Sequence, residues 1–153
     1  MIRINKARKL KRTKQKSVAR LRENAAVLLQ KLVRMKRADA LGNCACVTCG
    51  AIKHWKEMQG GHFIERGKNS TKLIEENVHP QCPYCNQWGM KQTSTVLAYR
   101  QYMVAMYGER FVNDLEQKAK QVCKQTRAEI EEISADFAAR IREQEQRSGR
   151  LAA

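Results

Sequence analysis

Apolar residues recur at helical spacing near the start of the chain, after a short and strongly polar segment. Successive apolar positions are three or four residues apart, which is the repeat of one face of an α-helix. Ser17 precedes the series and is a residue type that caps helix N-termini. We therefore predict a helix from Ser17 to about Arg37, with an apolar face made of Leu21, Ala25, Leu28, Leu32 and Met35.

The last part of the chain, residues 94–148, contains three more amphipathic stretches. Gly108 separates the first from the second, and the third is the longest. This pattern predicts a set of C-terminal helices. Their apolar faces consist of Val96, Tyr99, Met103 and Met106; of Phe111, Leu115, Ala119 and Val122; and of Ile130, Ile133, Phe137 and Ile141.

The middle of the chain, residues 42–93, favours short elements. Met58 to Ile64 and Asn77 to His79 are typical of short strands. Pro83 is suited to the first position of a helix. The predicted fold class is therefore α+β and mainly helical, with a small strand–strand–helix module flanked by N-terminal and C-terminal helices.

Two cysteine pairs bound this central module. Two residues separate Cys46 from Cys49, and two residues separate Cys82 from Cys85. Four thiolates at this spacing match a closed tetrahedral zinc site, which is structural and does no chemistry itself. Cys44 competes with Cys46 as a ligand, and we prefer Cys46 because it leaves two residues between the ligands. Four buried thiols without a metal are the alternative.

The charge composition indicates a polyanionic partner. The 153 residues carry a formal net charge of +15, and residues 1–37 hold fourteen Lys/Arg against one acid, Glu23. Positive charge at this density favours nucleic acid as the partner. No apolar run reaches the ~20 residues of a membrane span, and the N-terminus lacks a secretory signal. We therefore expect a cytoplasmic protein that does not bind membranes and whose cysteines stay reduced.

These patterns divide the chain into four parts. We expect a flexible basic arm over 1–16, a basic helix over 17–41, a zinc-bound module over 42–93 and C-terminal helices over 94–148. Basic residues of the arm and of the module would contact DNA phosphates without reading sequence. The predicted contacts are Arg8, Lys9, Lys11, Arg12, Arg66, Lys68 and Lys91.

The order of His62, Asn77 and Asn86 relative to the cysteine pairs resembles the HNH, or ββα-metal, nuclease motif. The resemblance implies that His62 ends the first strand and acts as general base. It also implies that Asn77 braces the turn and that Asn86, on the helix, binds one divalent ion. A neutral imidazole can take a proton from water at pH 7, and Mg²⁺ or Mn²⁺ can neutralise the phosphate.

One position departs from the general HNH pattern. Many HNH enzymes place a metal-binding acid directly before the base, where this chain has Gly61. Gln59, Glu57, Glu65 or His79 could contribute a ligand instead. For His79, packing beside the cysteines is an equally weighted alternative.

A closer resemblance covers residues 40–145. The strings Gly61-His62-Phe63, Glu76 to Cys82 and Cys85-Asn86-Gln87, together with Cys46 to Gly50, are similar to the lambda NinG (Rap) family of phage recombination proteins. This resemblance implies a zinc-stapled HNH module with endonuclease activity. The implied substrates are branched recombination intermediates such as Holliday junctions. It also implies a phage or prophage protein that acts in a bacterial host.

The sequence also bears on the oligomeric state, the two tryptophans and the alternative functions. A four-way junction needs two symmetric cuts, so we expect a homodimer in which the last helix supplies an apolar interface; packing within one chain is the alternative. Trp55 and Trp88 could stack on unpaired bases, but we expect core packing. The alternative functions are a noncatalytic zinc-ribbon DNA-binding accessory protein and, more weakly, a sequence-preferring HNH restriction or homing nuclease.

Overall fold

The computed structural model describes residues 15–151, with side chains as far as residue 148. The predicted DNA contacts Arg8, Lys9, Lys11 and Arg12 lie outside the described residues. The long helices are α1 (Val18–Lys36), α3 (Thr93–Tyr107), α4 (Glu109–Lys118) and α5 (Arg127–Leu151), with the short α2 (Pro83–Gln87). The strands are β1 (Asn43–Ala45), β2 (Ile52–His54), β3 (Gln59–His62) and β4 (Val78–Gln81), and short 3-10 helices span Glu75–Asn77 and Gly89–Lys91. The described chain is thus mainly helical with two small sheets, as the sequence predicted.

The first helix begins where the cap residue predicted. Ser17 has extended backbone angles, and its hydroxyl accepts a hydrogen bond from the Arg20 amide at 3.2 Å. This bond satisfies one of the amides that the first turn leaves without a partner. The buried face of α1 includes Ala25, Leu29 and Leu32.

Helix α5 packs along α1 of the same chain and forms the larger core with it. Glu75 reinforces the contact, because its carboxylate binds Lys36 of α1 and Arg140 of α5, each at 2.5 Å. The apolar stripe of the last helix is therefore covered within one chain. This packing corrects the expectation that the stripe supplies a dimer interface. The buried core residues are Leu29, Leu32, Val33, Met35, Val78, Phe137 and Ile141.

Helices α3 and α4 form a hairpin that covers the other side of the central module. Tyr99, Met103, Val112 and Leu115 are buried together there. Partly buried residues of the module, including Phe63, pack against this cluster.

The central module consists of two antiparallel hairpins followed by a short helix. Strand β1 pairs with β2, and β3 pairs with β4 so that His62 lies opposite Val78. Helix α2 follows β4 with Pro83 in its first turn. The structure confirms the strands predicted over Met58 to Ile64 and Asn77 to His79, which are β3 and β4, and the helix start at Pro83. The sequence did not predict the β1–β2 hairpin.

Glycine allows α1 to approach β3 closely. A Cβ atom on Gly60 would lie 2.7 Å from the Cα of Gln30 in α1, so a larger residue would push the helix away from the strand. This close approach places one face of α1 beside the end of β3. Within residues 15–151, no helix is both long and apolar enough to cross a membrane.

Replacing a core residue of α5 tests this packing. Phe137 is 5% exposed, so Phe137→Ala should lower the free energy of unfolding by about 3–5 kcal/mol because it leaves a cavity. Urea denaturation followed by circular dichroism measures the change. Val122→Ala, at a side chain that is 86% exposed, is the control and should change stability by no more than about 0.5 kcal/mol. Loss of a dimer without loss of stability in Phe137→Ala would contradict this packing.

Candidate metal centre and catalytic cleft

Four thiols meet where the two hairpins and α2 come together. The sulfur atoms of Cys46, Cys49, Cys82 and Cys85 all lie within 4.8 Å of one another. The Sγ atoms of Cys49 and Cys82 are 3.8 Å apart. A zinc ion with four sulfur ligands at about 2.3 Å gives a tetrahedron with an edge of about 3.8 Å. The donor set and its spacing therefore fit a structural zinc ion.

Local backbone geometry presents each cysteine pair. The first pair lies on the turn between β1 and β2, where the Gly50 amide donates to the Cys46 carbonyl at 2.9 Å and Gly50 has φ of 74°. Glycine adopts that left-handed conformation without strain. Cys82 is the N-cap of α2 and Cys85 lies within this helix. The amide of Val47 donates to the carbonyl of Pro80 at 3.0 Å and joins the two halves of the cluster.

The competing thiol, Cys44, is buried beside the cluster but is not among the four sulfur atoms that converge. Burial raises its pKa. Burial also raises the pKa of Cys46, but hydrogen bonds from Thr48 and from backbone amides outweigh that effect and lower it to about 6. The convergence of Cys46 with the other three sulfur atoms agrees with the preferred ligand choice.

A cleft of about 700 Å³ contains two of the three predicted catalytic residues, His62 and Asn86, whereas Asn77 is not among its lining residues. His62 and Asn86 both line this cleft, although 24 positions separate them in the chain. Its wall combines β3, α2, the start of the loop after β3 and one face of α1. The lining residues include Gln30, Arg34, Gln59, His62, Glu65, Arg66 and Asn86.

His62 is the last residue of β3 and is only 7% exposed. Its Nε2 lies 3.0 Å from the carbonyl oxygen of Lys72. A carbonyl can only accept, so Nε2 carries the proton and Nδ1 keeps its lone pair. No protein group within the described residues binds Nδ1. Burial lowers the pKa of His62 to about 4, so the ring is neutral at pH values well above 4, with an unshared lone pair on a buried Nδ1.

Asn77 has the bracing contacts that the HNH resemblance implies. Its side chain is fully buried. Its Oδ1 accepts from the Ile64 amide at 2.7 Å, and its Nδ2 donates to the carbonyls of Ile64 and Thr71 at 3.1 Å each. These bonds fix the loop that follows His62 to the start of β4.

An ion-pair group holds the same loop against α1. The carboxylate of Glu23 binds Arg66 at 2.7 Å and also binds Lys72, whose carbonyl contacts His62. The hydrogen bond from Lys72, together with charge attraction, lowers the pKa of Glu23 despite its partial desolvation. The single acid of the basic N-terminal segment therefore positions the partner of the histidine.

Asn86 shares the cleft with two further residues that carry oxygen donors. The Asn86 amide nitrogen donates to Gln59 Oε1 at 2.6 Å, and no hydrogen bond to the Asn86 Oδ1 is formed within residues 15–148. Glu65 lines the same cleft and supplies a carboxylate. Of the four substitutes considered for the missing acid, Gln59 and Glu65 lie in the cleft, whereas Glu57 and His79 are not among its lining residues.

Packing explains the absence of an acid before His62. A Cβ atom on Gly61 would come 1.8 Å from Oε1 of Gln81 and 2.7 Å from its Cδ. Gln81 is fully buried, so its amide group occupies the space that an acidic side chain would need.

His79 lies away from the cleft and binds two tyrosines. Its Nδ1 is 3.1 Å from the Tyr99 hydroxyl and its Nε2 is 2.9 Å from the Tyr107 hydroxyl. The Tyr99 hydroxyl in turn donates to the Gly61 carbonyl at 2.8 Å. Burial lowers the pKa of His79 to about 3, so the ring is neutral. His79 therefore supports β3 through the tyrosines and does not lie in the cleft where a metal ligand was suggested.

Arg34 is a cleft residue that the sequence did not single out. It lies on α1, and its guanidinium donates to the carbonyls of Gln30, Trp55 and Met58. Within the described residues it forms no ion pair. Burial lowers the pKa of Arg34, but a guanidinium stays charged in proteins. An arginine within a basic helix has no sequence signature that distinguishes it from its neighbours.

The predicted DNA contacts of the module differ in their positions. Arg66 lines the cleft. Lys68 is exposed and lies 3.6 Å from Glu65. Lys91 lies over the ring of Trp88, with its Nζ 5.2 Å from the ring centroid. The expectation of core packing is confirmed for Trp55, which packs against both neighbouring cores, and is wrong for Trp88, which is 59% exposed.

Metal analysis of cysteine variants tests the centre. The folded protein should contain one zinc ion per chain, and Cys46→Ser should lose it because three thiolates bind zinc far less tightly than four. Cys44→Ser, two residues earlier in the chain, is the matched control and should keep the zinc. Elemental analysis of purified protein measures both. Zinc loss in Cys44→Ser with zinc retained in Cys46→Ser would show that Cys44, and not Cys46, is the ligand.

Comparison with known proteins identifies the family. A family model described as bacteriophage Lambda NinG protein matches residues 3–147. No curated protein matches the chain, and no solved structure matches it. The family match indicates a function related to phage recombination. The match spans nearly the whole chain, and the protein therefore belongs to the NinG family.

Proposed function

We propose that the protein is a metal-dependent endonuclease of the HNH type that cleaves branched DNA, such as Holliday junctions, by hydrolysing phosphodiester bonds. The observation that carries the proposal is the shared cleft of His62 and Asn86. His62 there has a neutral ring and an Nδ1 without a protein partner. A histidine that served only to stabilise the fold would be expected to have both ring nitrogens bonded, as His79 has.

His62 acts as the general base in this proposal. The carbonyl of Lys72 holds the Nε2 proton, which fixes both the tautomer and the ring orientation. The Nδ1 lone pair then takes a proton from the attacking water. The ring is neutral at physiological pH and needs no prior loss of a proton. Its low pKa also makes it a weak base, so a bound ion would have to make the attacking water more acidic.

Asn86 is the residue best placed to hold a catalytic ion. Its Oδ1 is a hard oxygen donor, with the Glu65 carboxylate and the Gln59 amide in the same cleft. Mg²⁺ and Mn²⁺ accept such oxygen ligands and keep several waters. When bound, the ion would neutralise phosphate charge and stabilise the departing O3′ oxygen.

Two arginines extend the positive surface of the cleft. Arg34 has no carboxylate partner among the described residues, so its charge is available to a phosphate. Arg66 shares Glu23 with Lys72, so it is partly neutralised. A guanidinium matches the geometry of phosphate oxygens, and we assign the main phosphate contact to Arg34.

DNA and a second subunit complete the proposal. The net charge of +15 supports a polyanionic substrate. Two symmetric cuts in a four-way junction would need two active sites, and a two-fold homodimer supplies them. The interface would have to lie outside the α1–α5 core, because that core is filled within one chain.

A noncatalytic zinc-containing DNA-binding protein is the second candidate. The observation that favours it is Gly61, because the usual acid before the histidine is replaced by the packing of Gln81. This candidate predicts tight, salt-sensitive binding without strand breaks under any metal. Incubation of a synthetic four-way junction with Mg²⁺ or Mn²⁺, resolved on a denaturing gel, separates the two functions.

Replacement of the base tests the proposed chemistry. His62→Ala should cleave the junction about 10²–10⁴-fold more slowly, because a positioned general base contributes that much. Zinc content and DNA affinity should stay unchanged, since the imidazole is not one of the four sulfur ligands and its neutral ring carries no charge for a phosphate.

His54→Ala is the control for this experiment. His54 is a partly exposed histidine at the end of β2 and is not among the cleft residues. Its replacement should leave the cleavage rate within about twofold of the unmodified protein, since it has no place in the proposed chemistry. Equal rates in His62→Ala and His54→Ala would show that His62 is not the base.

A further inference from the structure

Two exposed aromatic side chains lie at α2, Tyr84 within the helix and Trp88 as its C-cap. Trp88 is 59% exposed and Tyr84 is 62% exposed. Burying such rings is among the larger apolar contributions available to a small protein. More than half of each side chain is left exposed by the described part of the chain. The core of the same module consists of Met58 and four cysteines, with Trp55 packed against them.

The helix presents the two rings on one side. The Trp88 amide donates to the Tyr84 carbonyl at 2.9 Å, so the two residues are one helical turn apart. Asn86 lies about half a turn around the helix from both, because each residue rotates the chain by about 100°. The aromatic pair is therefore separated from the cleft by the width of α2.

A lysine lies beside the pair, and the sequence around the pair contains no acid. Lys91 lies over the Trp88 ring, with its Nζ 5.2 Å from the centroid. The chain contains no Asp or Glu between Glu76 and Glu109. A phosphate that approaches this face meets a lysine and no sequence-local carboxylate.

The two aromatic residues lie on an element that the four-sulfur cluster would hold in place. Helix α2 begins at Cys82 and contains Cys85, and both thiols belong to the four-sulfur cluster. A bound zinc ion would hold α2 by two ligands, one of which comes directly after Tyr84. Stacking on a side chain that is already fixed loses little conformational entropy.

We propose that Trp88, Tyr84 and Lys91 form a stacking platform for unpaired bases of a DNA strand. The inference rests on the proposed function in taking DNA as the partner, and it adds which feature of the DNA is bound. In a duplex each base face is covered by its neighbours, whereas bases at a branch or in a single strand expose a face to an aromatic ring. The platform therefore favours branched or single-stranded DNA over a blunt duplex.

The position of the platform defines what it does for cleavage. A base stacked on Trp88 belongs to a nucleotide about one helix width from the phosphate in the cleft. The platform thus selects and orients the substrate and takes no part in the chemical step. Its loss should raise the DNA concentration needed for half-maximal cleavage and leave the rate at saturation nearly unchanged.

Tryptophan fluorescence provides a direct test, because the chain has only two tryptophans. In Trp55→Phe, Trp88 is the sole tryptophan of the full-length, zinc-loaded protein. Titration without added Mg²⁺ or Mn²⁺ prevents cleavage. We expect a single-stranded oligonucleotide and a four-way junction to quench Trp88 strongly, and a blunt duplex of equal charge to quench it much less.

Affinity measurements with matched variants complete the test. Trp88→Ala should bind the single-stranded oligonucleotide about tenfold more weakly, because one base loses its stacking partner. Trp88→Phe should recover part of that loss. Trp55→Phe is the control and should bind like the unmodified protein, since phenylalanine keeps an aromatic ring beside Arg34 and Lys56 at this partly buried position. Zinc content confirms that each variant has folded.

The outcomes separate this inference from the proposed function. Unchanged affinity in Trp88→Ala, or equal quenching by duplex and single strand, overturns the platform while junction cleavage stands. Trp88 fluorescence that depends on protein concentration and not on DNA also overturns it, because the face would then be covered by a second copy. Failure of the unmodified protein to bind any DNA overturns both.

Discussion

Convergence of four sulfur atoms is the constraint on which the central module depends. The module has only two hairpins of three- and four-residue strands and one five-residue helix, and elements this short bury little apolar area. The cluster joins the β1–β2 turn to the β4–α2 junction, so one ion would fix the ends of both hairpins. Because β4 is paired with β3 and leads into α2, the same constraint sets the distance between His62 and Asn86.

Helices α1 and α3 pack on opposite sides of β3 and hold the cleft residues in position. Gly60 lets α1 approach β3, which brings Arg34 to the rim. On the opposite side, Tyr99 binds the Gly61 carbonyl and is itself bound by His79. The strand that ends in His62 is thus held from both faces. Among the described residues, three buried side-chain polar atoms have no protein partner, His62 Nδ1, Ser70 Oγ and Gln81 Oε1, and of these three residues His62 lines the cleft. An unpaired buried acceptor destabilises the fold slightly, which is the pattern expected where a polar atom is kept for a ligand.

Much of this arrangement could be predicted from the sequence, because its signals are local. Cysteine spacing, the Ser17 cap and the Pro83 helix start each depend on a few neighbouring residues. The missed features depend on packing between distant segments. Periodicity showed the apolar stripe of α5 but not that α1 covers it, and the position of His79 in β4 did not show that tyrosines from α3 would bind it. Arg34 and the exposed Trp88 were missed for the same reason, since burial is decided by what packs against a residue.

The proposed activity requires that the sulfur cluster organise a second, oxygen-lined cation site between His62 and Asn86. The most direct measurement is the paramagnetic broadening of side-chain NMR signals by Mn²⁺ added to the zinc-loaded protein. Low Mn²⁺ should broaden the signals of the His62 ring and the Asn86 amide, while the signals of His54 and His79 stay sharp. Unbroadened His62 and Asn86 signals, or equal broadening of all three histidines, would contradict it.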